Sequence, residues 1–402
     1  MVTGQRRWAP SWLHRNLLVL CGVSFLQDAA SELVYPLLPL LLTGPLAAPA
    51  VVVGAIEGIA EGASAVTKLL AGRLADLHRR APLVAVGYGL AALGKALVAA
   101  ALVWPVVLAG RVVDRLGKGV RGTPRDALLV VGIPADRRGA AFGLHRAADT
   151  AGAVVGPLLG LAAYELVGLR GALVVAVVPA VLSVLLVGVL REGPPPSSRL
   201  EPRPRRRPGP PPRRAAPATP AVAPLPAPLR RVLALLTVFA VVNVPDALLL
   251  LRAHEVGFGV AGVLGVYVAY NAVYALLSFP AGALSDRLPR RYVMAAGLLV
   301  FAVAYAGLGL VDSRPGVVAL FLLYGGYTAS TDGVGKAWVS ALAPAIRQGF
   351  AQGLYQGLSG AGALVAGLWA GVLWSGDGRL PLVLAGAVAA TVAVALLVAR
   401  PG

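Results

Sequence analysis

The sequence predicts an all-α membrane protein with twelve transmembrane helices arranged as two six-helix bundles. Of its 402 residues, 57% are hydrophobic and 13% are charged, whereas soluble domains carry about 25% charged residues. Apolar runs long enough to cross a bilayer recur along the chain. One Pro- and Arg-rich segment separates these runs into two sets of six. Together these observations exclude an ordinary soluble enzyme and a disordered chain.

The apolar runs give the predicted spans in order. The first half has six, at 15–42, 50–71, 81–102, 104–124, 141–165 and 170–190. The second half has six more, at 230–253, 258–282, 290–311, 315–341, 349–374 and 379–399. The first run follows several arginines, as in a signal peptide, but its apolar character resumes at Leu33–Leu42. We therefore expect one long membrane helix there.

The segment 192–229 differs in composition from the rest of the chain. It contains 14 prolines, seven arginines and two acidic residues. This composition favours neither a helix nor a hydrophobic core and is typical of an extended linker. We therefore predict an N-terminal bundle over 1–191, a cytoplasmic linker over 192–229 and a C-terminal bundle over 230–402.

The distribution of basic residues predicts the orientation in the membrane. The formal net charge is +18, and the arginines fall mainly in alternate loops and in the linker. By the positive-inside rule both termini and the linker lie in the cytoplasm, and we expect a bacterial inner membrane protein. The same rule explains the charge without nucleic acid, which would require a basic groove with interleaved aromatic residues. Cys21 is the only cysteine, so an internal disulfide and a cysteine metal site are excluded.

The two halves repeat one another. The segment Gly72–Asp76 matches Gly282–Asp286 at an offset of 210 residues. Residues 137–146 match residues 347–356 at the same offset, with five identities in ten positions. Two parallel six-helix repeats are an architecture in which a transporter binds its substrate between the halves.

With these repeats the chain resembles the major facilitator superfamily (MFS). The family's loop signature, G-x-L-A-D-R-x-G-R-R/K, corresponds to residues 72–80, where Leu77 and Arg79 depart from the pattern, and more closely to residues 282–291. The resemblance implies a gate between the halves, while the alternative is a pair of ordinary positive-inside loops. The implied gate residues are Gly72, Asp76, Arg80, Gly282, Asp286, Arg287 and Arg290.

Two further motifs refine the resemblance. The pattern Gly152, Gly156, Pro157 and Gly160 is similar to G-x-x-x-G-P-x-x-G-G of MFS drug/proton antiporters, which implies efflux. The alternative is close helix packing, because small residues four apart let helices approach. The block 114–128 resembles a bacterial MFS subgroup with D-R-x-G-K-G-x-R-x-x-P-R-D-A-L, and this resemblance implies no substrate.

The predicted spans contain ionisable side chains, and each costs about 2.5–3.5 kcal/mol at the bilayer centre. We therefore expect them to face one another or a hydrated cavity. The candidates for proton coupling or a charge relay are Asp28, Glu32, Asp114, Arg115, Lys118, His145, Arg146, Asp149 and Asp246. The candidates for the substrate cavity are Arg111, Glu57, Glu61, Asn243, Tyr267, Asn271, Asp332 and Lys336. The alternatives are fixed salt bridges that only hold the bundle, among them a permanent pair of Asp28 with Arg115.

The sequence therefore predicts a secondary transporter of the MFS type that works by alternating access. Proton-coupled efflux of a small hydrophobic or cationic compound is favoured, and proton-coupled uptake of an anionic metabolite is the nearest alternative. A third possibility is a non-transporting membrane sensor or assembly protein on the same scaffold. We expect no enzyme activity, cofactor or metal site, because their motifs are missing. The expected partners are a small-molecule substrate, protons and the lipid bilayer, with a monomer as the functional unit.

Overall fold

The computed structural model describes residues 12–48, 50–191, 225–374 and 378–398. Nearly all of these residues are helical and none forms a strand, which confirms the predicted all-α class. The α-helices are α1 (Arg15–Val34), α2 (Leu38–Thr43), α3 (Ala50–Leu77), α4 (Arg80–Ala99), α5 (Trp104–Leu129), α6 (Arg138–Val187), α7 (Ala227–Ala240), α8 (Asp246–Glu255), α9 (Val260–Arg287), α10 (Arg290–Leu310), α11 (Arg314–Leu342), α12 (Gln348–Val372) and α13 (Arg379–Val398).

In three places the helices depart from one helix per predicted span. The first span consists of α1, a 3₁₀ turn at Tyr35–Leu37 and α2. Helix α6 carries both the fifth and the sixth span, and its backbone leaves helical geometry at Gly168, where φ is 73°. Glycine fits there because it adopts positive φ without steric cost. The seventh span is broken into α7 and α8 by the non-helical residues 241–245.

The beginning of α1 and the end of α6 lie at one end of the molecule, which we call the linker side. The amide of Asn16 donates to the carbonyl of Arg191 at 2.6 Å and accepts from its N–H at 3.1 Å. Residues 192–224 of the predicted linker lie outside the described residues. The second half becomes helical at Ala227 rather than at 230, because Pro226 and Pro228 occupy the N-cap and the first turn, where proline is tolerated. The three-part division of the chain stays a prediction.

Each half has its own apolar core. The largest cluster of buried apolar side chains runs from Leu229 to Leu396 and includes the stacked rings of Phe301 and Tyr305, whose centroids are 3.8 Å apart. Smaller clusters lie in the first half. Among the described residues, six helical stretches are long and apolar enough to cross a membrane by themselves: Arg15–Leu37, Arg80–Ala99, Ala135–Val187, Gly262–Arg287, Arg290–Leu310 and Arg379–Val398. Several of the other spans, α5 above all, carry the ionisable residues of the interior.

Helices α4 and α5 pack with their backbones in direct contact. A Cβ atom on Gly87 would lie 2.5 Å from Cβ of Arg121 and 2.8 Å from the carbonyl oxygen of Gly117. Glycine is required because any larger side chain would push the helices apart. This contact fixes the position of α5, which carries most of the basic side chains described below.

We predict that Gly87→Ala lowers the melting temperature of the detergent-solubilised protein. The added methyl group overpacks the α4–α5 contact, at a cost of about 1–3 kcal/mol. Gly89→Ala on the same helix is the matched control, because a Cβ atom there meets nothing within 4 Å. Thermal unfolding followed by tryptophan fluorescence measures both variants. Equal melting temperatures for the two would contradict the packing argument.

Candidate functional site

A cavity of about 440 Å³, which we call the central cavity, lies between the two halves. Side chains from α1, α5, α8 and α9 reach it. Its ionisable lining residues are Asp28, Glu32, Tyr35, Arg115, Lys118, Arg121, Asp246 and Tyr267. Three cationic and three acidic side chains therefore share one space between the two halves.

The two acids of α1 are held in place by the glycine face of α6. A Cβ atom on Gly156 would lie 2.6 Å from the carbonyl oxygen of Ala29 and 2.8 Å from Cβ of Glu32. Gly152 and Gly160 contact α1 in the same way, at the level of Asp28 and Leu33. Within α6 the backbone stays helical through Pro157 and leaves helical geometry only at Gly168. The glycine pattern therefore brings α1 close enough to present its carboxylates to the central cavity.

The two acids differ in their partners. Glu32 accepts a hydrogen bond from the hydroxyl of Tyr267 at 3.3 Å, which links the two halves. Among the described residues, Asp28 forms neither a hydrogen bond nor a salt bridge through its side chain, so it has no permanent pair with Arg115. Arg115 instead lies 3.4 Å from Glu61, whose side chain is about half exposed at 48%. The side chain of Glu57 lies outside those that the structure describes.

Arg121 is a cavity residue that the sequence analysis missed. Its guanidinium lies over the ring of Tyr88, 4.6 Å from the centroid, and the residue is only 7% exposed. Its Nη1 atom is buried and has no hydrogen-bond partner among the described residues. Lys118, three residues earlier on α5, is exposed to the cavity. This spacing of three residues places both cations on one face of α5 and was a signal available in the sequence.

Two predicted site residues lie together elsewhere in the first half. Asp114 accepts from Nζ of Lys95 at 2.8 Å and lies 3.7 Å from Nη1 of Arg111. All three side chains are buried between α4 and α5 and line neither of the two interior cavities described here. Their roles in proton coupling and in the cavity stay predictions.

The broken seventh span contributes the acid of the second half. Asp246 is the first residue of α8, and its carboxylate accepts hydrogen bonds from Tyr270 and Tyr324, each at 2.5 Å. Asn243, in the break, lines a second cavity of about 220 Å³ together with Asp332. A discontinuous helix near the middle of the membrane is where transporters bind substrates and ions. The sequence signal for the break is Pro245, which the span assignment passed over.

Charged residues also connect the two halves on the linker side of the central cavity. Arg146 lies 2.6 Å from Asp149 of its own helix and 2.9 Å from Asp332 of α11. Lys336 of α11 lies 3.0 Å from Asp126 of α5. We call these five residues the interhalf ion network. Arg146 and Asp149, predicted for the charge relay, thus meet Asp332, predicted for the substrate cavity, directly. Lys336, also predicted for the cavity, pairs with Asp126, which the sequence did not single out.

Several neighbours tie this network to the helices around it. Nε2 of Gln356 donates to Asp126 at 3.1 Å, and the hydroxyl of Tyr274 donates to Asp332 at 2.6 Å. His145 is buried and its Nε2 lies 2.8 Å from Oγ of Ser24.

Asn271, predicted for the substrate cavity, forms a hydrogen bond within its own helix. Its side-chain amide donates to the backbone carbonyl of Tyr267 in α9.

The linker side is closed by two clamps that follow the sequence repeat. The carboxylate of Asp286 accepts from the backbone N–H groups of Gly139 and Ala140 at 2.8 and 2.7 Å. The carboxylate of Asp76 accepts from the corresponding groups of Gly349 and Phe350, both at 2.7 Å. Each carboxylate therefore bonds the N-terminus of a helix in the opposite half, where free N–H groups and the helix dipole favour an anion.

The other predicted gate residues surround these clamps. Gly72 and Gly282 allow the helix backbones to meet, since a Cβ atom on Gly72 would lie 3.0 Å from the carbonyl oxygen of Gly349. Arg290 lies 3.4 Å from Asp286 and donates to the carbonyl of Ala135 at 2.8 Å. The remaining two are Arg80, which is buried 4.0 Å from Asp76, and Arg287, which is exposed. The resemblance pointed to these carboxylates, but their backbone partners are visible only in the structure.

Comparison with known proteins identifies the family. The profile of the Major Facilitator Superfamily matches residues 20–266 and 246–402. The chain belongs to the Major Facilitator Superfamily. An uncharacterised MFS-type transporter of Methanocaldococcus jannaschii is 29% identical over 371 residues, which cover 90% of this chain and 89% of the relative. A multidrug resistance protein of Photorhabdus laumondii is 30% identical over 148 residues, which cover 37% of this chain and 35% of that protein.

The fold is also that of a solved transporter. The crystal structure of a human organic anion transporter superposes with a TM-score of 0.74 at 17% identity, covering 96% of this chain and 100% of the other. The predicted fold class, twelve helices in two six-helix bundles, is confirmed. The protein is an MFS transporter, a multi-pass membrane carrier of small molecules, and members of this family are in general not enzymes. Its subgroup within the family stays a prediction.

We predict that Asp286→Asn opens the linker side. The amide removes one of the two acceptors and the negative charge, and a hydrogen bond to a charged group contributes about 1.5–3 kcal/mol, or roughly tenfold or more in the conformational equilibrium. Spin labels on His78→Cys and Tyr292→Cys, in a Cys21→Ala background, report the distance between the halves on this side. We expect a new population at longer distance.

Asp136→Asn is the control for this experiment. Asp136 is an exposed acid on the same side, and its carboxylate lies 3.8 Å from Nε of the neighbouring Arg137. Its substitution should leave the distance distribution unchanged. An unchanged distribution in Asp286→Asn as well would show that the clamp does not hold the linker side closed.

Proposed function

We propose that this MFS transporter moves a small molecule by alternating access and couples the movement to protons at Asp28. The observation that supports Asp28 is that its side chain has no fixed partner among the described residues. Glu32 is bonded by Tyr267, and Asp246 is bonded by two tyrosines. Asp28 lines the central cavity and, among the described residues, no side chain holds its charge by a hydrogen bond or salt bridge. A group that must gain and lose a proton during each cycle needs this freedom.

The surroundings of Asp28 suggest how its protonation would reach the rest of the molecule. The ionisable groups that act on it electrostatically are Asp149 and Arg146 of α6, Glu32 of α1 and Lys118 of α5. Arg146 also holds Asp332 of the second half at 2.9 Å. Loss of the Asp28 charge changes the field at Arg146, and therefore the strength of a contact between the halves. A proton can bias a two-state equilibrium only through such differential contacts.

Alternating access is supported by the placement of the clamps. The linker side carries arginine-rich loops and is closed by Asp76 and Asp286. We place this side in the cytoplasm of a bacterium and the protein in its inner membrane, in agreement with the positive-inside rule. Release of both clamps would let the two halves rock and open the central cavity to the cytoplasm. Both halves of the cavity come from one chain, which supports a functional monomer.

Two directions of transport have separate support. Export of a small molecule in exchange for protons is supported by the antiporter-like glycine pattern and by the partial match to a multidrug resistance protein. The glycine pattern also has a packing role against α1, which applies in either direction. Uptake of an anion together with protons is the second candidate, because Arg115, Lys118 and Arg121 line the central cavity.

Transport assays in cells separate these directions. Cells that lack their main efflux pumps would express the wild type or Asp28→Asn and receive a panel of drugs and labelled metabolites. Lower accumulation with the wild type alone supports export, and higher accumulation supports uptake. No difference for any compound would favour the third possibility, a sensor or assembly protein on the MFS scaffold.

We predict that Asp28→Asn abolishes the pH dependence of the conformational equilibrium. With the two linker-side labels described above, the wild type should change its distance distribution between mildly acidic and mildly alkaline pH. Asp28→Asn should give one distribution at all pH values, because the amide mimics the protonated carboxyl group. Glu165→Gln is the matched control, since Glu165 is exposed and outside the cavities. A pH response that survives in Asp28→Asn would disprove the coupling assignment.

A further inference from the structure

Within the part of the chain that the structure describes, two cations of the central cavity make no direct ion pair with a carboxylate. Among the described residues, neither Lys118 nor Arg121 forms a salt bridge within 4.0 Å, whereas Arg115 lies 3.4 Å from Glu61. Of the acids that line the same cavity, Glu32 and Asp246 accept hydrogen bonds from tyrosine hydroxyls, and Asp28 acts on Lys118 electrostatically without a direct contact among the described residues. On the α5 side, the cavity therefore offers two cations that the described residues do not hold in a direct ion pair.

Arg121 differs in its hydrogen bonds from Arg80 and Arg125, two arginines near it. Arg80 donates to the carbonyls of Ala75 and Ala127 at 3.2 and 3.3 Å, as buried arginines normally do. Arg125 donates to Asp126 at 3.1 Å. Arg121 is only 7% exposed, yet its buried Nη1 has no acceptor among the described residues. A buried guanidinium N–H without an acceptor is costly unless a ligand supplies one.

The surroundings of Arg121 hold its guanidinium in a fixed position. The centroid of the Tyr88 ring lies 4.6 Å from Cζ of Arg121, and Tyr88 is fully buried. Its Cβ lies against Gly87 of α4, where no larger residue fits. A planar guanidinium fixed in this way is suited to bind a carboxylate or a phosphate with two parallel hydrogen bonds. The cavity is about 440 Å³, which is far larger than a simple inorganic ion requires.

We propose that the transported substrate is a small organic anion whose carboxylate or phosphate group binds between Lys118 and Arg121. This proposal rests on the proposed transport function and holds for either direction of transport. It differs from the hydrophobic or cationic substrate that the sequence favours. The rest of the substrate would occupy the part of the cavity lined by Tyr267 and Asp246, so one ligand would contact both halves.

The test uses four probes of similar size and different charge. Benzoate, phenyl phosphate, benzamide and benzylamine are added at millimolar concentration to the purified full-length protein, and the melting temperature is followed. We expect benzoate or phenyl phosphate to raise it, while the neutral and the cationic probe do not. The stronger of the two anions identifies carboxylate or phosphate chemistry. Chloride at the same concentration should raise it less.

Variants of the two cations test the location of the site. Arg121→Gln should weaken binding of the better anion about tenfold or more, the effect of losing a hydrogen bond to a charged group. Arg121→Lys keeps the charge but lacks the two parallel donors. Its affinity for the anion should therefore lie between those of the wild type and Arg121→Gln. Lys118→Gln should weaken binding as well, and it should leave folding intact because the Lys118 side chain is exposed to the cavity. Arg79→Gln, an exposed cation of the linker side, should bind as the wild type does.

Three results would overturn the proposal. They are equal stabilisation by all four probes or by chloride, full binding in both Arg121→Gln and Lys118→Gln, and no stabilisation by either anion. The outcome is independent of the coupling experiment. A pH response that depends on Asp28 without anion binding would remove only the substrate class. Anion binding with a pH response that persists in Asp28→Asn would remove only the proton assignment.

Discussion

An ionisable side chain inside a membrane must find a partner or reach water, and the interior of this transporter is organised around that requirement. The cost of leaving such a group in contact with lipid is several kcal/mol. The structure meets it in three ways. Lys95 and Asp114 pair within one half, Lys336 and Asp126 pair across the halves, and Lys118 faces a cavity. The position of a charge in this scheme decides what it can do during a transport cycle.

Pairs within one half and pairs between halves have different mechanical consequences. The Lys95–Asp114 pair lies between α4 and α5, two helices whose backbones are in contact, so it moves with its bundle. The pairs of Arg146 with Asp332 and of Lys336 with Asp126 must stretch or break if the halves rock. The clamps of Asp76 and Asp286 act in the same way at the linker side. Ion pairs within one half therefore stabilise that bundle, whereas ion pairs between the halves are contacts that a rocking motion would have to break.

Small residues and helix breaks put these charges where they act. The glycines of α6 let α1 approach until Glu32 lies against Gly156, and Gly87 lets α5 approach α4 at the level of Arg121. The break between α7 and α8 places Asp246 at a helix start, within reach of two tyrosine hydroxyls. The positions of the charged side chains in the cavity therefore depend on glycine contacts with helices α4 and α6, which stand behind α5 and α1.

The sequence by itself determined the number of spans, the duplication and the class of protein, because apolar length and a repeat offset of 210 residues are local or periodic properties. It also selected Asp28, Glu32, Arg146 and Asp332 as interior charges. It did not determine their partners. The contact of Asp76 with the N–H of Gly349 and the pairing of Asp126 with Lys336 join residues far apart in the chain. The Nη1 donor of Arg121, which has no acceptor among the described residues, depends on how the neighbouring helices pack. Only the packing of the helices decided these, since it alone sets which faces meet.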